Sequence, residues 1–293
     1  MENYGGCSYF CGITGMHNPF LMNHMKDALD RIVKAVNNGE KIVLYGYHDI
    51  DGVTAVSVLL LVLKYLNADV EYFISDKGSE DTDTDSGNIG NEFKFLGASL
   101  IITAGCGSNS LKGMDFCRKS GIDIIVTDCH EFKEVSHEAI LINPKQKNSG
   151  YPFDNLTAAG VAYKLAQAIS LYYRMKCISK YLDLVMIGTI SKEIPVTGEN
   201  LVMVEQGMIR LNCTNNYGLK AMIKINKVDS INYDSIKKLI SDTFQALNNA
   251  RGVDNARIMV ELFTTSNSDR AEQIAKYLKK EIRHKQKNLL QEV

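Results

Sequence analysis

The residues best placed to do chemistry are Asp49 and Asp51, one position apart and preceded by His48, in the run from Tyr45 to Gly52. Two carboxylates beside an imidazole suit a divalent cation bound through oxygen and nitrogen. The same carboxylates also suit plainer work, ending a strand and capping a helix. Either role needs them at a strand–helix junction, and the flanking residues supply one. Ile42 to Gly46 reads as a short buried strand, and an apolar helix is expected from Gly52 or Val53. An open α/β sheet holds its ligands at that place, beyond the carboxyl ends of its strands.

The elements that would carry this junction alternate along the chain. Apolar residues at Leu21, Met25, Leu29, Ile32, Val33 and Val36 predict a helix from Phe20 to Asn37. Further strands are expected at Val70–Ile74, Leu100–Thr103, Ile122–Val126 and within 138–143, with helices at 108–120 and 155–178. Such alternation implies right-handed crossovers and a parallel sheet covered on both faces. The acidic, glycine-bounded run Asp76 to Gly90 reads as a loop. Beyond Gly198 the pattern is helical, at 201–212, 218–225, 235–249 and 269–290, the last carrying many lysines around an apolar stripe. Three divisions follow: an irregular, loosely held arm over 1–19, an α/β domain over 20–198 and a helical region over 199–293.

The bulk numbers exclude several classes. Of 293 residues, 45% are hydrophobic and 23% charged, as in an ordinary globular protein. A formal net charge of −1 removes any global basic field, so nucleic-acid binding would need a local patch. Seven cysteines lack paired spacing, Cys7 and Cys11 included, which suits a reducing cytoplasm rather than a disulfide framework. The longest apolar run, Val53 to Leu63, is too short to cross a bilayer. A soluble cytoplasmic protein with no membrane partner is expected.

Four segments occur in order: Tyr45 to Gly52, Ile101 to Gly107, Ile124 to His130 (ending Asp-Cys-His) and Ile142 to Lys145 (Ile-Asn-Pro-Lys). They resemble the successive motifs of the DHH phosphoesterases, and within them the RecJ-like exonucleases of single-stranded DNA. Similar matches run through Tyr151 to Phe153, Gly160 to Ala168, Tyr181 to Thr189, Pro195 to Asn200 and Val260 to Phe263. The resemblance implies a parallel-sheet DHH domain, a connecting helix and a smaller DHH-associated domain. The last is expected to be absent, the chain stopping near the end of the connecting helix. It also implies a pair of manganese or magnesium ions held by a shared carboxylate, activating water and stabilising charge on a phosphate.

Carried over position by position, the resemblance makes Asp49, Asp51, Asp128 and His130 the catalytic set, with Asp49, Asp51, Cys129 and His130 as metal ligands. Asn143, Lys145 and Arg251 are implied as phosphate neighbours. Several positions depart from the pattern. Tyr47 replaces an acid, Gly105 the bridging aspartate, Cys129 the central histidine and Lys192 the fourth-motif aspartate. A glycine supplies no ligand, a thiolate favours zinc, and an ammonium repels cations. Lys192 is expected to act as a substitute cation paired with Asp49, Asp51 or Asp128, with Glu193 a candidate replacement carboxylate. Two functions compete. One is a catalytically impaired relative of 5′–3′ exonucleases that binds single-stranded nucleic acid or, through its last helix, a protein partner or a second copy. The other is an active phosphodiesterase with a reduced or rearranged metal site.

Overall fold

The computed structural model describes residues 13–75, 93–132, 139–192, 194–247 and 252–289. The acidic run 76–90, Glu193 and Arg251 lie outside these residues.

Five strands form one parallel sheet: β1 (Ile42–Tyr47), β2 (Val70–Ser75), β3 (Leu100–Ala104), β4 (Asp123–Thr127) and β5 (Ile140–Ile142), in spatial order β2-β1-β3-β4-β5. The register aligns their carboxyl ends: Gly46 pairs with Ala104, Ala104 with Thr127, and Thr127 with Ile142. Asp49, Gly105, Asp128 and Asn143 therefore leave the sheet along one edge.

The helices are α1 (Met25–Asn38), α2 (Ile50–Tyr65), α3 (Leu111–Lys119), α4 (Ala158–Tyr172), α5 (Leu182–Ser191), α6 (Gly198–Asn212), α7 (Tyr217–Asn226), α8 (Tyr233–Leu247), α9 (Gly252–Thr264) and α10 (Ser268–Leu289). Central α2 is buried almost throughout, since α4, α5 and α9 all pack on it. The main core joins it to one sheet face through Ile42, Leu44 and Ile102. The opposite face carries a smaller cluster of Val43, Phe93, Ile101, Cys117 and Ile122. In α10 the stripe Ala271, Ile274, Ala275 and Leu278 is buried, with α7 and α8 packed against the helix.

Several boundaries differ from the sequence reading. His24 at φ 60 interrupts the expected helix from Phe20, so Pro19–Leu21 forms a separate 3-10 turn. Helix α4 stops at Tyr172 because Arg174 turns left-handed and the Met175 amide donates back to Ser170. The segments Leu182–Ser191 and Gly252–Thr264 are helices that the sequence reading did not mark out. Buried all round, α5 lacks the polar face that makes a period visible.

The expected loose arm is also corrected, for residues 13–19. The Lys164 ammonium, 0% exposed, donates to Glu199 Oε1 at 2.7 Å and to the His17 carbonyl at 2.5 Å. The His17 amide donates to the same Glu199 oxygen at 3.1 Å, and the Tyr151 hydroxyl donates to the other. One buried ion pair thus fastens the segment before α1 to both α4 and α6. Removing one partner strands the other charge in the core, so Lys164→Met is expected to cost about 3–5 kcal/mol in urea unfolding. Lys26→Met, which breaks the exposed pair with Asp30, is expected to cost less than about 1 kcal/mol.

A second buried acid gives a pH signature. Burial pushes the Asp183 carboxyl up to about 6 from an ordinary 3.8, against the hydrogen bonds from the Thr214 hydroxyl and the Leu184 amide. The folded chain then holds this proton more tightly than the unfolded chain. Protonation favours the fold, and the group's contribution declines as pH rises from 3.8 to about 6. The decline is roughly 3 kcal/mol at most. Asp183→Asn is expected to flatten the stability–pH profile in that window; an unchanged slope would contradict it.

Candidate active site

Strand β1 ends at Tyr47, and two residues later Asp49 caps α2, its Oδ1 accepting from the Gly52 amide at 2.8 Å. The helix thus starts at Ile50, before the expected Gly52, because the cap is the first aspartate of the pair. Asp51 lies in the first turn and is 0% exposed. Its carboxylate spans to the start of α4, Oδ2 accepting from the Ala158 amide at 2.9 Å and Oδ1 from Ala159 at 2.8 Å. These are two of the amides that a helix N-terminus leaves without intrahelical partners. Thr157 caps the same helix by accepting from Gly160. The capping and functional readings of the aspartates therefore hold together: both carboxylates are fixed by helix amides.

Lys192 follows α5 in extended conformation and reaches back over the pair. Its Nζ donates to Asp49 Oδ2 at 3.0 Å and stands 3.8 Å from Asp51 Oδ2. The approach depends on Gly188, where a Cβ would collide with Thr54 and come within 2.7 Å of the Ala159 Cβ. Burial raises the Asp51 carboxyl to about 6; Lys192 and the two amides oppose the shift, and Asp49 adds to it. Burial alone would lower the Lys192 ammonium, but Asp51 and Asp49 outweigh it and hold the proton more firmly than usual. The cation is fixed in place.

The second part of the site follows β4. Asp128 Oδ2 accepts from the Ser108 amide at 3.0 Å, and Oδ1 from the Cys129 amide at 2.7 Å. His130 Nδ1 lies 2.8 Å from the same Oδ1, with the imidazole half exposed. Burial would raise the Asp128 carboxyl, yet the His130 and Ser108 hydrogen bonds bring it below its usual value. Burial pushes the Cys129 thiol far up, with Asp51 and Asp128 adding to the shift against Lys192. Ligand atoms of Asp128, Cys129 and His130 lie within 4.8 Å of one another. Among the described residues no group of that closeness joins Asp49 and Asp51 to Cys129 and His130, the ligand set expected from the motifs.

Of the expected phosphate neighbours, Asn143 and Lys145 are engaged elsewhere. Asn143 is wholly buried; its amide donates to the His130 carbonyl at 3.0 Å and its Oδ1 accepts from the Lys145 amide at 2.9 Å. It ties the two turns together instead of facing outward. Lys145 Nζ pairs with Glu131 at 2.9 Å. His48 Nδ1 lies 3.4 Å from the Ser75 carbonyl, toward the neighbouring strand.

This donor set does not fit the bridged pair of divalent ions implied by the motifs. Gly105 has φ +79, and a Cβ there would collide with the Cβ of Ala158. No carboxylate can occupy the bridging position unless the start of α4 moves. Both Asp51 oxygens already accept amides, and a fixed ammonium sits between the aspartates where like charge repels a metal. The consequence is measurable by melting. Lys192→Ala leaves two carboxylates facing each other and is expected to lower stability by about 1–3 kcal/mol. Millimolar manganese should then raise its melting temperature while leaving the parent's unchanged; a rise in the parent of equal size would contradict the geometry.

Comparison with known proteins places the fold. The family model described as "DHH family, N-terminal domain" matches residues 41–189. The single-stranded-DNA-specific exonuclease RecJ of Bacillus subtilis is 35% identical over 262 residues, covering 88% of this chain and 32% of the relative. The Escherichia coli protein of the same name is 27% identical over 275 residues, covering 88% of this chain and 47% of the relative. The chain thus spans about a third to a half of the length of these relatives. Among solved structures, Thermus thermophilus RecJ in complex with Mn²⁺ superimposes with a TM-score of 0.78 at 21% identity, over 93% of this chain and 40% of that one. A further exonuclease RecJ structure bound to manganese gives a TM-score of 0.79 at 22% identity, over 93% and 69%. With the match spanning the sheet, the aspartate pair and the Asp-Cys-His turn, the chain belongs to the DHH family.

Proposed function

We propose that this protein binds single-stranded nucleic acid and does not cleave it, as a catalytically silent relative of the DHH-family exonucleases. The observation that carries the reading is the Lys192 ammonium, 3.0 Å from Asp49 and 3.8 Å from Asp51. Two-metal hydrolysis places cations there to activate water and to stabilise the departing oxygen. A lysine supplies one unit of charge, cannot bind water as a Lewis acid, and holds its proton too firmly to serve as a base. Gly105 supports the same reading, because the backbone at that position has no room for a side chain. The scaffold around the site is intact: the sheet edge, the Asp51 bridge and the Asn143 tie are all built.

One observation favours a second reading, a single-ion phosphodiesterase centred on Asp128, Cys129 and His130, whose ligand atoms cluster. Sulfur in that set favours zinc over manganese or magnesium. Against it, the Cys129 thiol is held strongly in its protonated form, and His130 is engaged with Asp128.

A 5′-labelled unpaired oligonucleotide separates the readings. Incubation with manganese, magnesium or zinc is expected to leave it intact, while anisotropy records binding. Metal-dependent shortening that disappears in Asp49→Asn would overturn the first reading. Shortening with zinc alone, abolished in Cys129→Ser, would establish the second.

A further inference from the structure

We infer that the C-terminal ends of α2 and α4, with the turn that follows α4, form a second docking surface for unpaired polynucleotide, remote from the aspartate pair. The two helices start side by side, where Asp51 joins them, and pack along each other. They run 16 and 15 residues, so each ends roughly 22 Å from Asp51 at 1.5 Å per residue, and the turn after α4 meets the end of α2 where Lys180 lies over the Tyr65 ring. At that end Tyr65 is 58% and Tyr172 48% exposed. The Tyr172 ring stands edge-on to Tyr173 at 4.9 Å, and the Lys180 ammonium lies 5.7 Å from the Tyr65 ring and 4.8 Å from that of Tyr181.

The face is positively charged. Lys64, Arg174, Lys176 and Lys180 are all exposed. From Asn155 to Leu182, and from Gly52 to Ala68, the chain contains no aspartate or glutamate. None of these four cations makes an ion pair with a carboxylate among the described residues, while the Lys180 ammonium lies over the Tyr65 and Tyr181 rings. Cations at helix C-termini complement the helix dipole, which accounts for Lys64 and Arg174 but not for two exposed tyrosine rings beside them. Unpaired cations interleaved with exposed aromatic faces have the composition that holds single strands, phosphates to the ammonium groups and bases to the rings. The surface is preformed: the Met175 amide donates to the Ser170 carbonyl at 2.9 Å and the Lys180 amide to the Cys177 carbonyl at 3.2 Å.

This inference rests on the proposed binding of single strands and adds where that binding occurs. The test is anisotropy of a labelled oligothymidylate of about 20 nucleotides, titrated at several salt concentrations against the full chain. Lys176→Glu with Lys180→Glu is expected to weaken binding at least tenfold at low salt and to lower the salt dependence. Lys26→Glu, an equal charge reversal per site on α1, should change little. Tyr65→Ser with Tyr172→Ser should weaken binding while leaving the salt dependence intact, which separates stacking from charge. The chain has no tryptophan, so quenching of tyrosine emission by the oligonucleotide, reduced in that variant, reads the stacking directly. Parent-like binding by the lysine variant would overturn the inference and leave the proposed function standing. Failure of the parent to bind would end both. Displacement by polyglutamate as readily as by unlabelled oligonucleotide would assign the surface to an acidic protein and overturn it too.

Discussion

The carboxylate of Asp51 is the point on which the fold and the site converge. It is out of contact with solvent, yet it joins the first turn of α2 to the first two amides of α4 and faces the Lys192 ammonium that follows α5. A buried charge persists only when it is paired and hydrogen-bonded. Two amides and one ammonium supply that environment, against the repulsion of the neighbouring Asp49. The packing of α4 and α5 on α2, and through them of the strap ending at His17, depends on the same small region. The Lys192 ammonium, 3.0 Å from Asp49 and 3.8 Å from Asp51, is the cation facing both carboxylates.

Substitution by lysine has consequences that a missing ligand alone would not. An absent metal ligand leaves carboxylates repelling each other, and the cost would be felt in folding. A lysine at that position sets a charge of opposite sign against both carboxylates. Gly105 acts in the same direction from the other side, since its left-handed backbone and the closeness of Ala158 leave the bridging position filled by the α4 N-terminus. These two features are coupled through Asp51, which the α4 amides and Lys192 approach together.

Much of the framework was legible in the residues. Alternating apolar runs marked all five strands, and the aspartate pair marked the strand–helix junction, because buried parallel strands and caps leave strong local signals. The pairing of Lys192 with Asp49 and Asp51 was also open to inference, once the motif spacing fixed its position. Other features were not visible. Helix α5 is buried on every side, so its sequence shows no polar face to mark a period. The role of Asn143 as a buried tie required knowing that two turns meet, which no single segment encodes. The arm preceding α1 looked unattached because its anchors, Lys164 and Glu199, lie far along the chain and are ordinary charged residues in sequence. Gly105 read as a lost ligand; only the position of Ala158 shows that a side chain there would collide with α4.

The central claim is that a fixed ammonium has taken the place of divalent ions between Asp49 and Asp51. Calorimetric titration of manganese into the unmodified protein addresses it most directly. The account predicts no pair of sites tighter than about 100 μM, a threshold near 5.5 kcal/mol per ion. Two ions bound per chain below that concentration, displaced by neither ionic strength nor substitution elsewhere on the surface, would contradict it.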